Sequence, residues 1–251
     1  MMDSNGHTSP GRLSLGFDLA WAGGLLALLC LLTGWLAQPP LTFIALAAIL
    51  YLLVCACAGF AWPRGRDFGW ANRATLLRST LVITLVALAP YAGNLNGENG
   101  STGGLWLYSV VALLALLLDG VDGKVARATG SQSEFGARFD MELDALFILG
   151  LCVAVLALGK AGVWVLALGL MRYGFVAASL VLPWMNQPLP ESFRRKTICV
   201  WQIVTLLVAI LPPATPLFAS TTLATALALL AWSFSLDIRW LYQRRHCHDS
   251  C

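Results

Sequence analysis

The stretch VVALLALLLDGVDGKVARATGSQSEFGARFDMELDALFILGLCVAVLALG, Val110 to Gly159, decides how this chain is built. An apolar run ends at Leu118, a polar segment follows from Asp119 to Asp144, and a second apolar run leaves it. The polar segment holds six acidic and three basic residues. The uncharged part of the first run, Gly104 to Leu118, is fifteen residues, about 22 Å of helix at 1.5 Å per residue. A bilayer core is about 30 Å thick. If both flanking helices cross, the charged ends must enter the membrane, where ionisable groups face an interior or wet cavity and mark function.

Working outward, the 251 residues are 58% hydrophobic and 12% charged, with a mean hydropathy of +0.74. Soluble domains carry about a quarter charged residues. The expectation is an all-α polytopic membrane protein with about eight transmembrane helices, near 17–37, 41–62, 72–92, 104–127, 133–159, 161–184, 194–212 and 216–240. Pro39-Pro40, Pro190 and Pro212-Pro213 punctuate them. The first run is read as a retained span, because no small-residue cleavage site follows it. A net charge of +3, not gathered into a stripe, argues against a nucleic-acid partner. The seven cysteines form no disulfide framework or zinc spacing. Cys247 and Cys251 beside His246 and His248 are read as a solvated tail.

Basic residues set the orientation. Arg12, the group Arg64, Arg66 and Arg73, the group Lys124, Arg127 and Arg138, the group Arg194, Arg195 and Lys196, and the group Arg239, Arg244 and Arg245 all fall on one side of eight alternating spans. Lys160 stands on the other. Both termini and the carboxylate stretch are therefore expected in the cytoplasm, with a bacterial inner membrane as the location.

Spacing gives the carboxylates a shared face. Asp119 and Asp122 are three apart, Asp140 and Asp144 four apart, and such pairs are neighbours on a helix. With Gly130 and Ser131 in the turn, four carboxylates face one another across an antiparallel pair. Close like charges are costly. Hard divalent cations remove that cost, and paired metals suit in-line phosphoryl displacement. Gly123, Ala126 and Gly136 allow close approach of a backbone or ligand. Arg127 offers a donor fork to a phosphate oxygen. Glu134, Arg138 and Glu142 fit ordinary interfacial charges.

Asp119, Asp122, Gly123, Ala126, Arg127, Gly136, Asp140 and Asp144 match D-x2-D-G-x2-A-R-x8-G-x3-D-x3-D without a departure. The segment closely resembles the signature of the CDP-alcohol phosphatidyltransferase family. The resemblance implies a six-helix catalytic core opening to the cytoplasm, here 72–240, with a tail at 1–16, two extra helices at 17–62 and a tail at 241–251. It implies a CDP-linked lipid such as CDP-diacylglycerol as donor, an alcohol acceptor and CMP as leaving group. It implies Mg²⁺ or Mn²⁺, two ions, on Asp119, Asp122, Asp140 and Asp144, with Asp144 also taking the acceptor's proton. Gly123, Ala126, Arg127 and Gly136 resemble the donor positions. Asn72, Thr75 and Arg78 resemble, more loosely, a pattern near the nucleotide; capping explains Asn72 and snorkelling competes with a site role for Arg78. Family members are commonly homodimers.

Arg172, in a long apolar run, is expected to face inward and meet an anion. With Arg194, Arg195 and Lys196 it suits an acceptor that carries phosphate, glycerol 3-phosphate or inositol phosphate; lipid-headgroup anchoring competes for 194–196. Phosphatidylglycerol, serine and choline are the other acceptors to weigh. A transporter would show broken helices or repeats near the midplane, and a non-catalytic scaffold would be favoured by a missing aspartate.

Overall fold

The computed structural model describes residues 10–62, 69–95, 102–129, 134–187, 190 and 192–248; side chains at 10–14, 61, 69–71, 121–129, 134, 186 and 245–248 lie outside the description. Eight α-helices and three 3₁₀ segments account for nearly all of it, with no strand among the described residues. The protein is an all-α polytopic membrane protein. The helices are α1 Pro10–Ala37, α2 Leu41–Ala61, α3 Gly69–Leu88, α4 Gly103–Thr129, α5 Glu134–Ala157, α6 Leu166–Val181, α7 Phe193–Ile210 and α8 Pro216–His248.

Six of these, among the described residues, are long and apolar enough to cross a membrane. The other two are α5 and α7. Charge fills the first three turns of α5, and α7 is 18 residues long and opens on Phe-Arg-Arg-Lys. Eight spans were expected; eight helices form, and six of them have the length and apolarity of a span. Other boundaries shift for local reasons. The third helix stops at Leu88 and tightens into 3₁₀ over Ala89–Leu95, because Pro90 has no N–H to continue the α ladder. The sixth span is divided, with 3₁₀ turns at Val163–Val165 and Pro183–Asn186 on either side of α6. The expected C-terminal tail is instead a continuation of α8 to His248. There Tyr242 packs edge-on against Trp184, ring centroids 5.7 Å apart, and the Arg244 guanidinium lies 4.1 Å above the Trp240 ring. The turn at 130–133, most of the loop after Leu95, Arg64 and Arg66, and Cys251 lie outside the described residues.

The chain divides into two compact units, 1–88 with 107–147, and 89–106 with 148–251. In the first, α1 and α2 both pack on α3. Leu76, Val82, Ile83, Leu85 and Ala87 bury that central helix, while Phe17, Leu31 and Trp35 of α1 stay exposed, as a lipid-facing helix requires. Arg73 of α3 grips Asp18 of α1 at 3.0 Å. Tyr51 donates its hydroxyl to the Leu19 carbonyl, and Tyr108 of α4 donates to Leu85 of α3 at 3.2 Å. Ser79, Thr80 and Thr84 return their hydroxyls to carbonyls one turn back, so these three hydroxyls need no partner outside α3.

In the second unit α7 and α8 lie along each other. Gly169 permits a close crossing: a Cβ there would stand 2.8 Å from the Leu149 Cα, so α6 and α5 meet backbone to backbone. Gln202 of α7 donates to the Leu168 carbonyl at 2.9 Å. Lys160, the one basic residue assigned to the far side, is buried. Its Nζ donates to the carbonyls of Leu211 at 2.5 Å and Ile210 at 3.4 Å, where α7 ends. Ser220 donates back to the Lys160 carbonyl. This cation caps orphan carbonyls at the negative end of a helix dipole, and burial pushes its pKa below the ordinary lysine value.

Candidate active site

Three helices of the first unit converge on one point. Arg78 stands on α3, Asp119 on α4, and Asp140 and Asp144 one turn apart on α5. The Arg78 side chain is 1% exposed, the three carboxylates 34%, 37% and 43%. The guanidinium is thus the floor of the site and the carboxylates its half-open wall. Nη1 bonds Asp119. Nη2 donates to Asp144 Oδ1 at 2.9 Å and lies 2.8 Å from Asp140 Oδ1. A bare arginine at this burial would be costly in a membrane; three carboxylates at contact distance remove the cost.

One oxygen from each of Asp119, Asp140 and Asp144 lies within 4.8 Å of the others. Asp140 Oδ1 is buried and, despite its closeness to Nη2, receives no aligned hydrogen bond among the described residues. Among the described side chains, three carboxylates face one guanidinium, so negative charge is in excess there. Oxygen donors only, excess negative charge and an acceptor lacking a donor together fit a hard divalent cation.

Asp122, Gly123, Ala126 and Arg127 continue along α4; their side chains lie outside the described residues. Gly136 sits one turn before Asp140 on α5. Asn72, Thr75 and Arg78, three apart on α3, are all buried. The capping expected of Asn72 is corrected: α3 begins at Gly69, so Asn72 lies within its first turn rather than at its N-cap. Arg78 does not snorkel; it points into the carboxylates.

The basic residues expected at an acceptor pocket belong to the second unit. Arg172 is half-buried on α6. Arg194 donates from Nη1 to the Ser233 carbonyl and hydroxyl, both at 2.7 Å, and from Nη2 to Asp237 at 2.6 Å, with its guanidinium 5.7 Å from the centre of the Trp232 ring. Arg195 reaches the other Asp237 oxygen at 3.6 Å and bonds the Pro190 carbonyl. Lys196 is exposed. Asp237 and Asp18 were missed by the sequence reasoning. Each is the single acid of a long apolar helix, a signal that should have marked both as paired.

A family model for CDP-alcohol phosphatidyltransferases matches residues 68–236. The chain belongs to the CDP-alcohol phosphatidyltransferase family. Two curated relatives, each described as a probable phosphatidylglycerophosphate synthase, from Mycobacterium tuberculosis strains CDC 1551 / Oshkosh and ATCC 25618 / H37Rv, are 28% identical over 167 residues, 66% of this chain and 78% of theirs. No solved structure matches the chain. This CDP-alcohol phosphatidyltransferase is an integral membrane enzyme of phospholipid synthesis, a transferase acting on a CDP-activated lipid and an alcohol. The family depends on divalent metal, and the carboxylates of α4 and α5 supply a donor set of the right kind.

Proposed function

We propose that the enzyme transfers the phosphatidyl group of CDP-diacylglycerol to glycerol 3-phosphate, forming phosphatidylglycerophosphate and CMP. The observation that carries the chemistry is the convergence of Asp119, Asp140 and Asp144 over Arg78. The similarity to probable phosphatidylglycerophosphate synthases supports the acceptor, as do the basic residues Arg172, Arg194, Arg195 and Lys196. A site open at the cytoplasmic face of a bacterial inner membrane, with both termini on that side, matches a donor whose head is polar and whose acyl chains stay in lipid. The assigned core is 72–240, with α1 and α2 as additional helices, and the enzyme works as a homodimer.

Asp119, Asp122, Asp140 and Asp144 would hold two Mg²⁺ or Mn²⁺ ions, which when bound neutralise charge on the diphosphate and on departing CMP. Gly123, Ala126 and Gly136 leave room for the cytidine, while Thr75, Arg78 and Arg127 meet the diphosphate. Asp144 accepts the proton of the acceptor hydroxyl as its oxygen attacks the lipid-side phosphorus. The P–O bond to CMP breaks, and CMP departs with the bonding pair. The basic residues of α6 and α7 hold the acceptor phosphate by charge-assisted hydrogen bonds.

The test uses purified protein with CDP-diacylglycerol, Mg²⁺ or Mn²⁺, and separate arms of glycerol 3-phosphate, inositol phosphate, phosphatidylglycerol, serine and choline. CMP release with phosphatidylglycerophosphate as the main lipid product is expected. Transfer to another arm alone replaces the acceptor, and no metal-dependent transfer in any arm overturns the reading.

A further inference from the structure

We propose that Arg78 is the site's built-in counter-cation: it holds Asp119, Asp140 and Asp144 together before a divalent ion arrives, and it restrains metal loading until the donor diphosphate is present. The inference rests on the reading of these carboxylates as metal ligands and adds a control to it.

The geometry places one cation where another is wanted. The guanidinium contacts an oxygen of each of the three carboxylates, the same groups whose oxygens gather within 4.8 Å. It enters from the buried side, on α3, while the carboxylates come from α4 and α5. Without it, three carboxylates at this spacing would repel and splay two helices apart. With it, an entering ion meets a fixed positive charge at hydrogen-bond range from Asp119, Asp140 and Asp144. Its rigid fork suits three partners in a way a lysine ammonium on a flexible stem does not.

An ion that takes the carboxylates therefore displaces Arg78 from some of them. A buried guanidinium stripped of its anions is costly. The donor diphosphate can accept it, by charge-assisted bonds. Metal and donor thus bind better together than either does alone, and Arg78 contributes part of that linkage. Toward the metal it acts through the carboxylates, and toward the donor by direct contact.

The experiment measures Mn²⁺ binding by the electron paramagnetic resonance of free Mn²⁺, on purified full-length protein, with and without CDP, alongside thermal unfolding in chelator and in Mn²⁺. Arg78→Gln is expected to unfold earlier in chelator and to bind Mn²⁺ without CDP roughly tenfold or more tighter than wild type. It should regain more of its unfolding temperature on adding Mn²⁺, and show a smaller gain in Mn²⁺ affinity from CDP. Arg78→Lys should be intermediate on all four measures, and carries the test if Arg78→Gln does not fold. Mn²⁺ affinity unchanged or weaker in the variants, with the CDP effect intact, overturns the proposal. Failure of wild type to bind Mn²⁺ in any condition sinks instead the metal-site reading beneath it.

Discussion

The link between α7 and α8 offers a direct measure of what a tertiary ion pair does in this fold. Asp237 is mostly buried and takes the Arg194 guanidinium at 2.6 Å, with Arg195 at 3.6 Å on its other oxygen. At an effective dielectric near 20, unit charges about 4 Å apart attract by about 4 kcal/mol. The side chains are 24% and 12% exposed, so solvent screening reduces this to about 2 kcal/mol. Asp237→Ala also strands Arg194 on a mostly buried surface, which keeps the loss near that figure even though the Ser233 bonds survive. For a chain of this size the loss corresponds to roughly 4–8 °C of unfolding temperature. The assay is thermal unfolding in detergent for Asp237→Ala, Arg194→Met and the double variant. Coupling is expected: the double variant should be more stable than the sum of the single losses implies. Additive losses, or an Asp237→Ala protein within about 1 °C of wild type, would refute the reasoning. A Michaelis constant for glycerol 3-phosphate that rises in Asp237→Asn while kcat holds would show that the pair also aims Arg194 and Arg195 at the acceptor.

Further outcomes are expected elsewhere. Asp144→Asn should lower phosphatidyl transfer by roughly 10²–10⁴-fold while CDP still binds in equilibrium dialysis; near-normal turnover would exclude Asp144 as the base. Lys160→Met leaves the carbonyls of Ile210 and Leu211 without their buried donor and should cost about 1–3 kcal/mol, read from unfolding midpoints at pH 7. Because burial lowers the Lys160 pKa, the unfolded chain holds that proton to higher pH than the folded one. Wild type should then gain stability relative to Lys160→Met as pH rises toward the ordinary lysine range; a relative loss would count against the assignment. Gly169→Val must push α6 off α5, since its Cβ would meet the Leu149 Cα at 2.8 Å; a loss of about 1–3 kcal/mol is expected, and a neutral result would deny the close crossing.

Local pattern went far in this protein. Apolar runs and prolines placed all eight helices, because helix length and breakers are properties of short windows, although α1 starts earlier, at Pro10, and α8 ends later, at His248. The i,i+4 spacing of Asp140 and Asp144 put them on one face of α5, as helical geometry requires. Where expectations failed, the local signal was too weak to specify the outcome. The third span was expected to run to 92, yet α3 ends at Leu88, just before Pro90. The segment from 241 onward read as tail, yet α8 continues to His248, with Tyr242 packed edge-on against Trp184.

The sequence by itself determined the helices and the chemical character of the segment from Asp119 to Asp144. Only the tertiary structure decided what that segment meets. Arg78 lies 41 residues before Asp119 and 66 before Asp144, and Arg194 lies 43 before Asp237. A helix's period says which residues share its own face. It says nothing of how that helix is rotated and slid against another. Small residues and side-chain shape along each whole interface set the rotation, and with it whether a buried arginine finds lipid, one carboxylate or three.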